Sequence, residues 1–167
     1  VGHPAACLLE MRRESPTCRV YFPDDHASVD ECSLRKRVEQ LVDTIETFAD
    51  AVCNEVDSRD PIVLVQDYHF ALAPAMIRKR LPSATVMVFW HIPWPHPRDY
   101  ASCPWGRELL EGLLGSTIVG FQTPQDCENF IETVEYPLDA HIDRGRGVIA
   151  DGDRRVTVRA YPVSVEW

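Results

Sequence analysis

The 167-residue chain has no apolar run approaching the ~20 residues that cross a bilayer, so no segment reads as a transmembrane helix. It has no basic start followed by an apolar stretch, so no secretory signal is expected and the cytoplasm is the expected location. Positive charge is in deficit: 17 Lys and Arg stand against 26 Asp and Glu, a net −9. That balance argues against nucleic acid or an anionic membrane surface as the partner. Six cysteines are present, Cys7, Cys18, Cys32, Cys53, Cys103 and Cys127, but none forms a C-x-x-C pair. Their wide, irregular spacing reads as free thiols and not as a disulfide framework or a zinc site. Glycine-built motifs are missing too. Without a P-loop or G-x-G-x-x-G a nucleotide-cradling loop has no candidate, and without G-x-S-x-G a serine nucleophile has none.

What is there starts with Ile62–Pro97, IVLVQDYHFALAPAMIRKRLPSATVMVFWHIPWPHP. The unbroken apolar run Ile62 to Val65 predicts a strand buried on both faces. It stops at the polar cluster Gln66-Asp67-Tyr68-His69. A helix is expected over about 71–81, with Pro74 in its first turn and Pro82 closing it. Thr85 to Trp90 predicts a second strand, ending in His91. Strand, helix and strand make a right-handed βαβ unit with parallel strands. Asp67 and His91 then stand at the carboxyl ends of neighbouring strands, the edge where open α/β sheets bind ligands.

Before this unit, Leu34, Val38, Leu41, Ile45, Phe48 and Val52 recur at helical spacing, predicting a helix over 34–56 packed on the sheet. Residues 1–33 show no period and are expected to be irregular. After it, four prolines, Pro93, Pro95, Pro97 and Pro104, predict a stiff loop without regular structure that could wall a pocket. A short helix over 105–114 with Gly115 as its C-cap is expected next, then a strand over 116–122. Thr123-Pro124-Gln125-Asp126 reads as a capping box opening a helix to about Glu135 that buries Cys127, Phe130, Ile131 and Val134. Residues 136–146 read as a loop. Asp151-Gly152-Asp153 predicts a hairpin between 147–150 and 154–160, and a last strand over 158–165 is broken at Pro162.

Asp67 can accept hydrogen bonds from sugar hydroxyls, or it can simply cap the following helix. His91, held by Pro-Trp-Pro, can donate to a hydroxyl or polarise a developing charge, or it can bond backbone. Tyr68 and His69 should point to opposite sides, one toward the core and one toward the crevice. Trp94 offers a surface for a sugar to stack on, whereas Trp90 reads as core. Asp67, His69, His91, His96 and Asp99 are the acids and imidazoles a metal could use. They lie on two strand ends and a loop without a strong ligand spacing, so no metal and no cofactor is expected.

QDYHF at 66–70 followed by HIPWP at 91–95 resembles the HDYHL and HIPFP of the trehalose-6-phosphate synthases, glycosyltransferase family 20. CPWGRELLEGLLGSTIVGFQT at 103–123 and VRAYPVSVEW at 158–167 extend the resemblance, which covers about 48–167. It implies a mostly parallel Rossmann-like α/β sheet with helices on both faces, forming the N-terminal half of a GT-B type glycosyltransferase over 34–167. It also implies a retaining transfer of glucose from UDP-glucose to glucose 6-phosphate. In it Asp67 binds the acceptor, and His91, as the catalytic residue, lies beside the donor glucose. Two further features of the family find no match here. One is an opening glycine-rich loop with acceptor-binding aromatic and arginine residues. The other is a C-terminal domain whose basic residues hold the diphosphate. The chain alone is therefore expected to be inactive. A glucosylglycerol-phosphate synthase-like transferase and a non-catalytic sugar-phosphate-binding or regulatory module are the alternatives.

Overall fold

The structure, a computed structural model, describes residues 31–163. Six strands form one sheet in the order β1-β2-β3-β6-β5-β4. They are β1 Ile62–Gln66, β2 Thr85–Phe89, β3 Ile118–Phe121, β4 His141–Asp143, β5 Val148–Asp151 and β6 Arg154–Ala160. β1, β2, β3 and β6 run parallel, and β4 and β5 are antiparallel. The helices are α1 Glu31–Glu55, α2 Ala73–Arg80, α3 Pro97–Tyr100, α4 Gly106–Leu113 and α5 Pro124–Leu138, with a 3-10 turn at Tyr68–Phe70.

The sheet register decides which face is covered. Val63, Val86 and Val156, with Val65, Val88, Val119 and Val158 one pleat on, point to one side and are largely buried. Phe121, Phe130, Leu110, Leu113 and Ile77 complete this core. Each fully buried aliphatic or aromatic side chain contributes ~1.5–3 kcal/mol of transfer free energy. The opposite side carries Ile62, Leu64, Met87, Phe89 and Ile118, and there Ile62 is 76% and Leu64 61% exposed. Helices were expected on both faces; the described helices cover one. An apolar run as continuous as Ile62–Val65 fits burial on both sides, but only Val63 and Val65 are turned into the core here.

Several boundaries differ from the sequence reading, each for a local reason. α1 packs chiefly on α2, tied by Arg80 to Asp50 and to Asn54 Oδ1. Its buried line runs through Ile45 and Ala49, so Phe48 is 54% exposed and meets Phe70 edge-on. The irregular segment expected over 1–33 lies outside the described residues, except that 31–33 begin α1. The proline-rich loop contains α3, because Pro97 sits in the first turn, where no N–H is needed, and the His96 ring accepts from Arg98 N–H. Leu114, not Gly115, ends α4; a Cβ at Gly115 would lie 2.3 Å from the Ala75 backbone, so this glycine serves the close approach of α2. α5 continues three residues past Glu135, through Pro137, to a left-handed cap at Asp139. Residues 141–143, expected in a loop, form β4 by pairing with β5. The capping box at Thr123 and the hairpin at Asp151-Gly152-Asp153 are as expected, with Gly152 at φ 59°. β6 ends at Ala160, and the expected strand beyond 163 falls outside the described residues.

Candidate functional site

The site grows from the register of β1 and β2. Gln66 pairs with Phe89, so Asp67 and Trp90 are the first residues past their strands, and His91 follows. Asp67 N–H donates to Phe89 O at 2.8 Å, and Trp90 N–H donates to Gly120 O at 2.9 Å. These bonds carry the ladder one step beyond the strands and fix where each chain leaves the sheet.

Asp67 leaves it at φ 64°, ψ 177°. Glycine adopts this region freely; another residue held there costs ~1–3 kcal/mol. Its side chain makes no capping bond to the 3-10 turn that follows. Instead Oδ1 accepts from His91 N–H at 3.3 Å. The carboxylate therefore does not cap the turn and is directed across to the neighbouring strand end. The His91 ring places Nε2 2.8 Å from Gln66 Oε1 and stands edge-on to Phe89, centroids 4.7 Å apart. Asp67 is half-buried and His91 exposed. Asp67 Oδ2 and His91 Nδ1 have no protein partner among the described residues. A carboxylate oxygen and an imidazole nitrogen at neighbouring strand ends are thus left over for a polar ligand.

The segment after His91 is stiff for a second reason besides proline. Trp94 turns inward, 2% exposed, against Tyr100, Phe121 and Phe130. Its backbone N–H donates to Asp126 Oδ1 at 2.9 Å and its indole N–H to Thr133 Oγ1 at 3.1 Å. Asn129 Nδ2 donates to Trp94 O at 3.2 Å. The sugar-stacking surface expected at Trp94 is therefore corrected: the ring is core, and its polar handle is satisfied by α5. Asp126 thereby joins two duties, since its Oδ2 also accepts from Thr123 N–H in the capping box. Trp90 is core as expected, although its indole N–H lacks a partner among the described residues.

Tyr68 and His69 do not diverge. Their rings stack at 4.0 Å and 25°, both half-buried, because the 3-10 turn replaces the extended backbone that alternation requires. Among the described residues no three of His, Cys, Asp and Glu group closely enough to hold a metal ion. Cys53 and Cys127 are free thiols. Sequence reasoning missed Gln66. Its only signal was that it stands where the HDYHL motif has histidine; its contact with His91 depends on strand register, which residue types do not show.

The profile of glycosyltransferase family 20 matches residues 21–167. The trehalose-6-phosphate synthase of Mycolicibacterium gilvum is 35% identical over 135 residues, covering 77% of this chain and 27% of that protein. An alpha,alpha-trehalose-phosphate synthase (UDP-forming) from Burkholderia xenovorans, solved in complex with glucose-6-phosphate, superposes with a TM-score of 0.71 at 24% identity, over 79% of this chain and 30% of that one. The N-terminal domain of Candida albicans trehalose-6-phosphate phosphatase superposes with a TM-score of 0.74 at 21% identity, over 87% of this chain and 29% of that one. The chain spans between a quarter and a third of the length of these three relatives. With its parallel Rossmann-like sheet and a profile match over most of its length, the chain belongs to glycosyltransferase family 20.

Proposed function

We propose that this chain is the acceptor-side Rossmann-like part, spanning 34–167, of a retaining glucosyltransferase of the trehalose-6-phosphate synthase type. The reaction moves glucose from UDP-glucose to glucose 6-phosphate. In this reading Asp67 accepts hydrogen bonds from acceptor hydroxyls and His91 lies against the donor glucose. The observation that carries it is the Asp67–His91 bond across the carboxyl ends of two parallel strands. Two groups fixed to each other before a ligand arrives supply positioning, a main source of rate in a reaction that joins two substrates. Stabilising the departing diphosphate is a separate demand, which fixed cations or donors must meet. The reading assigns that demand to a second domain of the enzyme. It also places the enzyme in the cytoplasm, since a nucleotide sugar and a sugar phosphate are charged and do not cross a bilayer unaided.

The 167 residues alone are accordingly expected to bind glucose 6-phosphate and to turn nothing over. A coupled UDP-release assay on this chain with both substrates tests the second half. Sustained UDP release would contradict the division of labour between two domains.

One observation favours a second reading, a non-catalytic sugar-phosphate-binding module. The same fold serves as the N-terminal domain of a trehalose-6-phosphate phosphatase, and fold does not dictate chemistry. The two readings part at Asp67 and His91. A transferase needs both, and a module in another role tolerates their loss without change in sugar-phosphate binding.

A further inference from the structure

Gln66 ends β1 and is exposed, and its Oε1 lies 2.8 Å from His91 Nε2. An amide oxygen only accepts, so the nitrogen facing it carries the proton. A neutral imidazole has one N–H, which leaves Nδ1 as a lone pair. The Phe89 ring, set at 68° to it with centroids 4.7 Å apart, restricts the ring from turning over, and the His91 backbone N–H is already committed to Asp67 Oδ1 at 3.3 Å. The ring is thus held from three sides: by an amide, an aromatic edge and its own backbone.

We propose that Gln66 is a positioning residue: it fixes the proton of His91 on Nε2, so that His91 meets its ligand through Nδ1 as a hydrogen-bond acceptor. An acceptor at that point suits a sugar hydroxyl and rejects a phosphate oxygen, which also only accepts. The ligand class rests on the proposed function; the state of the ring does not. The substitution relative to HDYHL matters here. A histidine at position 66 could itself titrate and exchange donor and acceptor roles with His91, whereas an amide cannot. Of charged and titratable side chains, Asp67 is bonded to the His91 backbone, and His69 lies in the next turn against Tyr68. β2 and β3 present Phe89 and Gly120, which are uncharged.

The test is long-range proton–nitrogen NMR on the chain labelled at histidine, above the titration range, with His91 assigned by its loss in His91→Gln. The expected pattern has Nε2 protonated and Nδ1 bare. Gln66→Glu should keep that pattern, because a carboxylate oxygen also only accepts. Gln66→Leu should mix the two tautomers. Both variants change an exposed side chain, and unchanged urea midpoints confirm that they fold. A bare Nε2 in the unaltered chain overturns the proposal, as does a ring indifferent to Gln66→Leu. Adding glucose, which needs none of the diphosphate contacts assigned to the second domain, separates the two claims. A shifted Nδ1 resonance supports both. An unmoved Nδ1 with the tautomer pattern intact keeps the role of Gln66 and removes the donor-sugar reading of His91.

Discussion

Asp67 concentrates the physics of this site. Its backbone occupies a conformation meant for glycine, and its side chain spends one oxygen on a neighbour's backbone. A residue selected for stability alone would be glycine here. Asp67→Gly is therefore expected to be more stable than Asp67→Ala by ~1 kcal/mol or more in urea unfolding, since only glycine relieves the strain. Equal stabilities would mean that the positive φ carries no strain. A second residue-scale consequence concerns Cys127. Burial, helped by the Asp126 charge, pushes its thiol from 9.0 up to about 11. The folded state then holds this proton longer than the unfolded one. The contribution is complete below pH 9.0 and is lost as pH rises through about 11. Urea midpoints should fall across that window, and in Cys127→Ala they should fall less. Burial also pushes the Tyr100 phenol up, which adds to the same alkaline loss.

At the scale of elements, the strand ends stay put because α5 grips the loop that follows them. Trp94 is the grip, with two backbone bonds and one side-chain bond to α5 and four aromatic neighbours. Trp94→Ala should cost ~3–5 kcal/mol, the range for removing a buried aromatic. A platform on the surface would cost little, so thermal unfolding of this variant separates the two roles. Gly115→Ala tests the other tight packing. Its Cβ would meet the Ala75 backbone at 2.3 Å, and backbone cannot step aside, so a loss of about 3 kcal/mol is expected. Much of this framework was legible in sequence. The βαβ unit follows from two apolar runs around a proline-opened helix, and the hairpin from Asp-Gly-Asp. The capping box at Thr123 follows from Thr-Pro-Gln-Asp. Two things were not legible. Trp94 among prolines looks like a surface aromatic until α5 supplies Asp126, Asn129 and Thr133 from 32 to 39 residues away. Gln66 looks like a strand end until register sets it beside His91. Both depend on long-range packing, which no local pattern encodes.

For the whole molecule, the described helices close one side of a parallel sheet and leave Ile62 and Leu64 exposed on the other. The carboxyl edge of the parallel strands carries the candidate site. It offers a carboxylate and an imidazole at the ends of β1 and β2, in a chain between a quarter and a third as long as its relatives. The central claim is that the Asp67 carboxylate binds the acceptor. Calorimetry of glucose 6-phosphate binding to the unaltered chain, to Asp67→Ala and to His91→Ala measures this directly. The account expects Asp67→Ala to weaken binding about tenfold, the loss of a hydrogen bond to a charged group, and His91→Ala, which removes the group assigned to the donor glucose, to change it far less. Affinity unchanged by Asp67→Ala would contradict it.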